Sequence, residues 1–363
     1  MKRLAFLLVI VFSFLTIYSQ DYIACARKEK EWGYIDKNGS WVVNPQFEHV
    51  KSFSEGLAAM RKNGEWGFVN KNGQFVINPQ FTDAEDFQEG LAAVKKGKEW
   101  GYVDMNGKWT INPQFEKAKN FKDGLAAILN AGSWGFVNKE GKYVINPQFR
   151  DAESFHEGLA AVLKGKEWGY VDKNGQWIIN PQFEIARPFT GDIAMVRKGG
   201  EWGFINKEGK YVINPQFDDV LGFSEGLCAV RKGKDWGFID REGNYVINPQ
   251  FYDAHNFQSG LAAIRKGKEW GFIDKTGKYV INPQFLNARD FSSGLAGVLK
   301  GKEWGYINKE GKWVVNPQYE KVRDYHLGYA MVRKAGEWGW IDQEGLYIIN
   351  PQFPNAFDFV KIK

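Results

Sequence analysis

The side chains of this chain that could do chemistry are four histidines, two cysteines and many carboxylates and cations. A metal centre needs several ligands converging on one point. His49, His156, His255 and His326 are scattered through variable loop positions, so they read as solvated loop histidines and no metal is expected. Cys25 and Cys228 lie seven and eight residues before a tryptophan, in adjacent slots of one recurring strand. Adjacent strand positions face opposite sides. A disulfide between them is therefore not expected, and small buried thiols standing in for alanine are. Carboxylates recur at Asp36, Asp104 and Asp172, and again at Glu55, Glu89 and Glu157. Glycoside hydrolysis uses one unique carboxyl pair, whereas these repeat with a fixed period, as turn caps do. Asp104-Met105-Asn106-Gly107 opens like a calcium loop but lacks the rest of the twelve-residue pattern, so it reads as a turn. No nucleophile elbow, P-loop or dinucleotide fingerprint is present. No catalytic residue and no cofactor is expected.

Cations gather before the recurring tryptophans, at Lys95, Lys96, Lys198, Arg231, Lys232, Arg265, Lys266, Arg333 and Lys334. Stacked by a repeat they would form a basic stripe, a candidate binding edge for an anionic glycan or a partner protein. Glu65, Glu99, Glu167 and Glu269 interleave with it. The same stripe also suits a solvated hairpin edge that discourages sheet aggregation.

These groups must be positioned by the repeat. Trp-Gly occurs at Trp32, Trp66, Trp100, Trp134, Trp168, Trp202, Trp236, Trp270, Trp304 and Trp338, every interval being 34 residues. Asn-Pro-Gln recurs with the same spacing from Asn44 to Asn350. Such a period signals a repeat architecture. In the second copy, residues 57–62 form a first strand, Asn63-Gly64 a tight hairpin turn, and residues 65–69 a second strand. Asn70 to Gly73 makes a capped turn, and residues 74–77 form a third strand that Pro79 is expected to stop. Residues 80–90 read as a connecting loop with one 3₁₀ turn, pinned by Phe81, Ala84 and Phe87. Both strand faces are apolar, which fits sheets buried between neighbouring units. Gly67 is expected to admit a ring of the adjacent copy, and the ten tryptophans are assigned to the inter-repeat core.

A 68-residue period lies inside the 34-residue one. After Trp-Gly, odd copies carry Tyr34, Tyr102, Tyr170, Phe238 and Tyr306, while even copies carry Phe68, Phe136, Phe204, Phe272 and Trp340. Duplication of a two-copy ancestor explains this, as would alternating environments for successive units.

Composition agrees. Of 363 residues, 44% are hydrophobic and 16% aromatic, which excludes disorder. The net charge of +5 is too small to imply nucleic-acid binding. Met1-Lys2-Arg3, the apolar run Leu4 to Ile17 and the polar exit at Tyr18-Ser19-Gln20 have the order of a secretory signal peptide. The run is too short for a membrane anchor, and Asp21 makes a poor lipoprotein box before Cys25. Residues 1–19 are thus expected to be a signal peptide, and 20–363 one ten-copy array without a transmembrane segment.

The pattern Trp-Gly-aromatic-aliphatic-Asp/Asn, then Gly, then aromatic-aliphatic-aliphatic-Asn-Pro-Gln-Phe, and later Gly-Leu-Ala, resembles the WG (KWG) repeat family of bacterial proteins over about residues 22–363. The resemblance implies a binding or scaffold repeat without a defined activity. The sixth copy departs from the pattern at Pro188 and Gly191-Asp192, and the tenth at Tyr329.

The expected fold is all-β, ten tandem three-stranded units in an open, solenoid-like superhelical stack, with a closed propeller-like ring as the alternative. The expected function is a non-enzymatic extracytoplasmic scaffold, periplasmic, outer-membrane-associated or secreted, that binds a protein partner or an envelope glycan. A polysaccharide lyase or hydrolase, or an accessory subunit of an envelope assembly, is the alternative.

Overall fold

A computed structural model describes residues 22–362. The signal-peptide expectation for residues 1–19 lies outside them.

Each copy contributes to a four-stranded antiparallel sheet rather than a three-stranded one. In the second blade these are strand a, His49–Val50, strand b, Leu57–Lys62, strand c, Glu65–Asn70, and strand d, Phe75–Phe81, hydrogen-bonded in that order. The extra strand comes from the segment expected to be a loop. His49 and Val50 pair with Arg61 and Met60, the Lys51 amide donates to the Ala59 carbonyl, and Ser54 bridges Leu57. No 3₁₀ turn forms there, because this backbone finds its partners on strand b instead. The apolar pins remain buried, with Phe81 closing strand d and Ala84 sitting on the next strand a.

Pro79 does not stop strand d. Trp66 pairs with Phe81 and Phe68 with Ile77, so one intervening residue on strand c faces three on strand d. Asn78-Pro79-Gln80 therefore form a bulge, where the ladder is interrupted and a missing N–H costs nothing. The bulge explains Gly67. A Cβ there would stand 2.5 Å from the Ile77 carbonyl oxygen and 2.6 Å from the Pro79 nitrogen. Its neighbour is thus the main chain of its own blade, not a ring of the adjacent copy.

The turns form as their residues require. Asn63 (φ 53°) and Gly64 (φ 81°) are both left-handed, the geometry of a hairpin turn that follows strand twist. The Asn70 side-chain oxygen accepts from the amides of Asn72 and Gln74 at 3.0 and 3.1 Å, capping the c–d turn.

Blades pack face to face. Leu57, Ala59, Phe68, Ile77 and Phe81 of the second blade meet Ala84, Phe87, Ala92, Val94 and Val103 of the third. Phe68 lies edge-on to Phe87 at 4.8 Å, and Phe81 to Trp109 at 5.7 Å. Each fully buried aromatic or aliphatic side chain stabilises the contact by about 1.5–3 kcal/mol, so every blade depends on both neighbours.

The stack closes, which overturns the open solenoid. Strand d runs through one linking residue into strand a of the next blade, so the pairing slips forward by one unit. Strand a made by the tenth copy joins the first blade. Ala356 and Asn355 pair with Ala26 and Arg27, Val360 and Lys361 with Ile23 and Tyr22, and the Phe357 amide donates to the Cys25 carbonyl at 3.0 Å. Tyr329, the departure in the tenth copy, packs at this seam against Tyr22 and Phe359. The result is a closed ring of ten blades.

Candidate functional site

Antiparallel order gives the ring two ends. One carries the a–b and c–d turns, the other the b–c hairpins and the links from strand d to the next strand a. At the turn end the carboxylates serve architecture. Asp104 Oδ1 accepts from the amides of Asn106 and Lys108, both at 2.9 Å. Glu55 accepts from the amides of Glu89 and Gly90 in the next blade at 2.8 and 2.9 Å, and Glu157 from Gly191 at 2.8 Å. In the sixth copy Gly191 keeps a left-handed φ of 64°, whereas Asp192 takes no left-handed conformation, so the exchanged pair reshapes that turn. Asp192 itself is exposed.

The hairpin end carries the tryptophans. All ten point from strand c into the junction with the next blade. Trp32, Trp134, Trp236 and Trp270 are buried there, and Trp66, Trp100, Trp168, Trp202, Trp304 and Trp338 are half-buried. The third residue of the link segment, two positions after the link's first strand residue, reaches over the ring of its own blade. Lys119 stands 5.5 Å from Trp134, and Arg323 5.5 Å from Trp338.

The basic stripe divides in two, because successive residues of strand b face opposite ways. Lys96 and Lys266 donate to the carbonyls of Gln80 and Gln250 at 2.7 and 2.9 Å, and Lys232 reaches Gln216 in the same manner. Lys198 and Lys334 donate to the side chains of Gln182 and Gln318. These five staple the bulge of the preceding blade. On the other face Arg231 pairs with Asp219, Arg265 with Asp253, and Arg333 with Glu320. Lys95 alone of the nine makes no side-chain ion pair or hydrogen bond among the described residues, and it lines a cleft. The stripe is thus mostly committed within the protein.

The 68-residue period has a structural counterpart. The Tyr34, Tyr102, Tyr170 and Tyr306 hydroxyls of odd blades donate to the carbonyls of Lys51, Lys119, Arg187 and Arg323 in the following even blades, at 2.6–3.0 Å. In even blades Glu48, Glu116, Glu184 and Glu320 accept from the hairpin amides of Gly64, Gly132, Gly200 and Gly336. Outside the seventh and eighth blades, where Asp218 caps Gly233 and Tyr252 replaces the glutamate, odd and even blades therefore sit in alternating environments.

Clefts open at this end, two of them between the tryptophans of an odd–even blade pair. One, of about 770 Å³, lies between Trp304 and Trp338. The other, of about 480 Å³, lies between Trp100 and Trp134. Ion pairs cross from blade to blade in and beside them. Lys51 meets Glu85 at 2.7 Å, Lys119 meets Glu153 at 2.9 Å, Arg289 grips Asp324 through two bonds at 2.6 and 3.1 Å, and Arg323 meets Asp358 at 3.4 Å. Partly exposed pairs of this kind contribute little stability each, but they fix side-chain positions.

The remaining titratable groups are placed as follows. Burial pushes the Cys25 and Cys228 thiols up to about 12, and both are free and buried. His49 is exposed and stacked on Trp66 at 6.4 Å, His156 lies beside Glu157, and His326 is exposed at the larger cleft. His255 is not a solvated loop residue. It is half-buried against Trp270, with Nδ1 2.7 Å from Asp290. Burial lowers its basicity, but the hydrogen bond to Asp290 outweighs this and the net shift is upward. Desolvation raises Asp86, which Lys51 only partly offsets. Sequence reasoning passed over Lys117, Lys321, Arg289 and the Asp324–Asp358 pair partners. The available signal was internal: Glu-Lys-X-basic occurs at 116–119 and 320–323 and in no other link.

Ten blades, closed by the pairing of residues 355–361 with residues 22–27, define a β-propeller. One solved structure agrees on the fold. A eukaryotic initiation factor crystal structure matches with a TM-score of 0.52 at 12% identity, over 81% of this chain and 95% of that one. Kluyveromyces lactis Hsv2 (TM-score 0.37, 11% identity, 65% and 95% covered) and dihydro-heme d1 dehydrogenase NirN (0.37, 10%, 79% and 70%) are also similar. The chain belongs to the WG repeat family: the model of the WG containing repeat matches ten times, from residues 32–66 to 338–361. A comparison with curated proteins finds no match. Among the described residues no helix is long and apolar enough to cross a membrane.

Proposed function

We propose that this propeller is an exported, non-enzymatic scaffold that binds a component of the cell envelope through its hairpin end. One observation carries the reading: the blades share a core and turns but differ in charge where strand d links to the next strand a. The linking pairs run Glu48-His49, Thr82-Asp83, Glu116-Lys117, Arg150-Asp151, Glu184-Ile185 and onward to Glu320-Lys321. Link residues that no packing or turn demand fixes, such as Lys117 and Lys321, are the ones that can encode recognition. Half-buried tryptophans beside them supply apolar area with a polar tip, the chemistry of binding surfaces. Export rests on the residue order at 1–20 alone.

The test uses immobilised full chain without residues 1–19, exposed to envelope extract. Retention of a component, abolished by Trp304→Ala with Trp338→Ala but kept by Lys37→Ala at the opposite end, supports the reading. Release of product from an envelope polymer, lost in Asp192→Ala, would replace it with an enzymatic one.

A further inference from the structure

Resting on the scaffold reading, we infer that the clefts at Trp100/Trp134 and Trp304/Trp338 are two equivalent sites for an acidic glycan, with Lys117 and Lys321 as the residues that meet its carboxylate.

The two clefts share one set of parts. Each is walled by the tryptophans of an odd blade and of the even blade after it. In each, the even blade supplies Glu-Lys-X-basic, as Glu116-Lys117-Ala118-Lys119 and Glu320-Lys321-Val322-Arg323. Two of the three charged positions are already engaged in the same way. Glu116 and Glu320 accept from hairpin amides, both at 3.1 Å. Lys119 and Arg323 lie over a tryptophan and pair with the carboxylate of the next blade. What is left uncommitted is the lysine. Lys117 and Lys321 are exposed and make no side-chain ion pair or hydrogen bond among the described residues. At the smaller cleft Lys95 adds a second free ammonium.

The other odd–even junctions lack this group. The position holds His49 on a tryptophan, Ile185, and Asp253 paired with Arg265. The recurrence at two junctions is therefore specific, and not a consequence of the repeat.

An uncommitted cation beside a half-buried indole, Trp100 or Trp304, selects an anion that also carries a flat apolar face. A uronic-acid ring has both: its C–H face packs on Trp100 or Trp304, its carboxylate meets the ammonium, and its hydroxyls find fixed donors and acceptors in the Arg289–Asp324 pair of the larger cleft and in Glu85 and Lys119 of the smaller. An acidic peptide would satisfy the lysine but leave the aromatic walls without a planar partner.

The test is tryptophan fluorescence and calorimetry on the full chain without residues 1–19, titrated with trigalacturonate, its methyl ester, and hexaglutamate. Saturation at two trigalacturonates per chain is expected, weakened by salt, with the ester at least about tenfold weaker, the size of one lost charge-assisted bond. Lys117→Ala and Lys321→Ala should each remove one site, and together both, while Lys37→Ala keeps both; unchanged melting of each variant shows that folding is intact. Absence of saturable trigalacturonate binding, equal binding of the ester, full binding by the double variant, or a preference for hexaglutamate would overturn the inference. Retention of an envelope component despite such a failure would leave the scaffold reading standing.

Discussion

At the scale of single residues, the demands come from close approach and burial. Gly67 has main-chain atoms where a Cβ would lie, and all nine other blades repeat this contact. Gly67→Ala must push the bulge off strand c, so it should cost about 2–4 kcal/mol, read as a lowered denaturant midpoint. The two thiols respond to pH. Each is raised from 9.0 to about 12 by burial. Below pH 9 the thiols are protonated whether the chain is folded or not, and they impose no pH dependence. Between about 9 and 12 the unfolded thiol ionises and the folded one does not, so stability falls by about 1.4 kcal/mol per pH unit for each. Cys25→Ala with Cys228→Ala should flatten that alkaline slope in urea titrations. An unchanged slope would assign it to other groups.

At the scale of elements, the unit of construction is the pair of blades. Odd-blade tyrosines donate to even-blade carbonyls, and even-blade glutamates cap even-blade hairpins. Tyr102→Phe removes a buried donor and leaves the Lys119 carbonyl unsatisfied, so a loss of about 1–2 kcal/mol is expected in equilibrium unfolding. Phe136→Leu, at the equivalent even position, keeps its hydrogen-bond inventory and should act only through packing. Alternation was visible in sequence as a 68-residue period. Its meaning was not, because a hydroxyl's partner lies one blade away and at a position whose side chain varies.

At the scale of the whole molecule, closure is the decisive event. The first blade has its fourth strand only because residues 355–361 return to it. Removing residues 355–363 exposes the edge of residues 22–28 and strips Trp32 of its Phe357 contact at 5.2 Å. The truncated chain is expected to melt earlier and to self-associate through that edge, seen by light scattering after gel filtration. A truncated chain that stays monomeric with unchanged melting would show that closure contributes little. Closure also completes the larger cleft, since Asp358 holds Arg323.

The sequence alone determined the repeat, its three long strands, the turn chemistry and the two-sided apolar faces, because these depend on residues close together in the chain. Asn63-Gly64 needs no neighbour to be a hairpin turn, and Phe81, Ala84 and Phe87 read as buried whatever buries them. Tertiary structure alone decided the fourth strand, the bulge at Pro79, the ring and the sites. His49–Val50 become a strand, and Ser54 a bridge, only when strand b of the same blade offers its free edge, a pairing that short apolar spacing does not announce. The same slip of pairing from one copy to the next turns a stack into a ring. The basic stripe shows the limit most plainly: nine cations of one pattern became staples, ion pairs and one free lysine, because alternate residues of a strand face different neighbours.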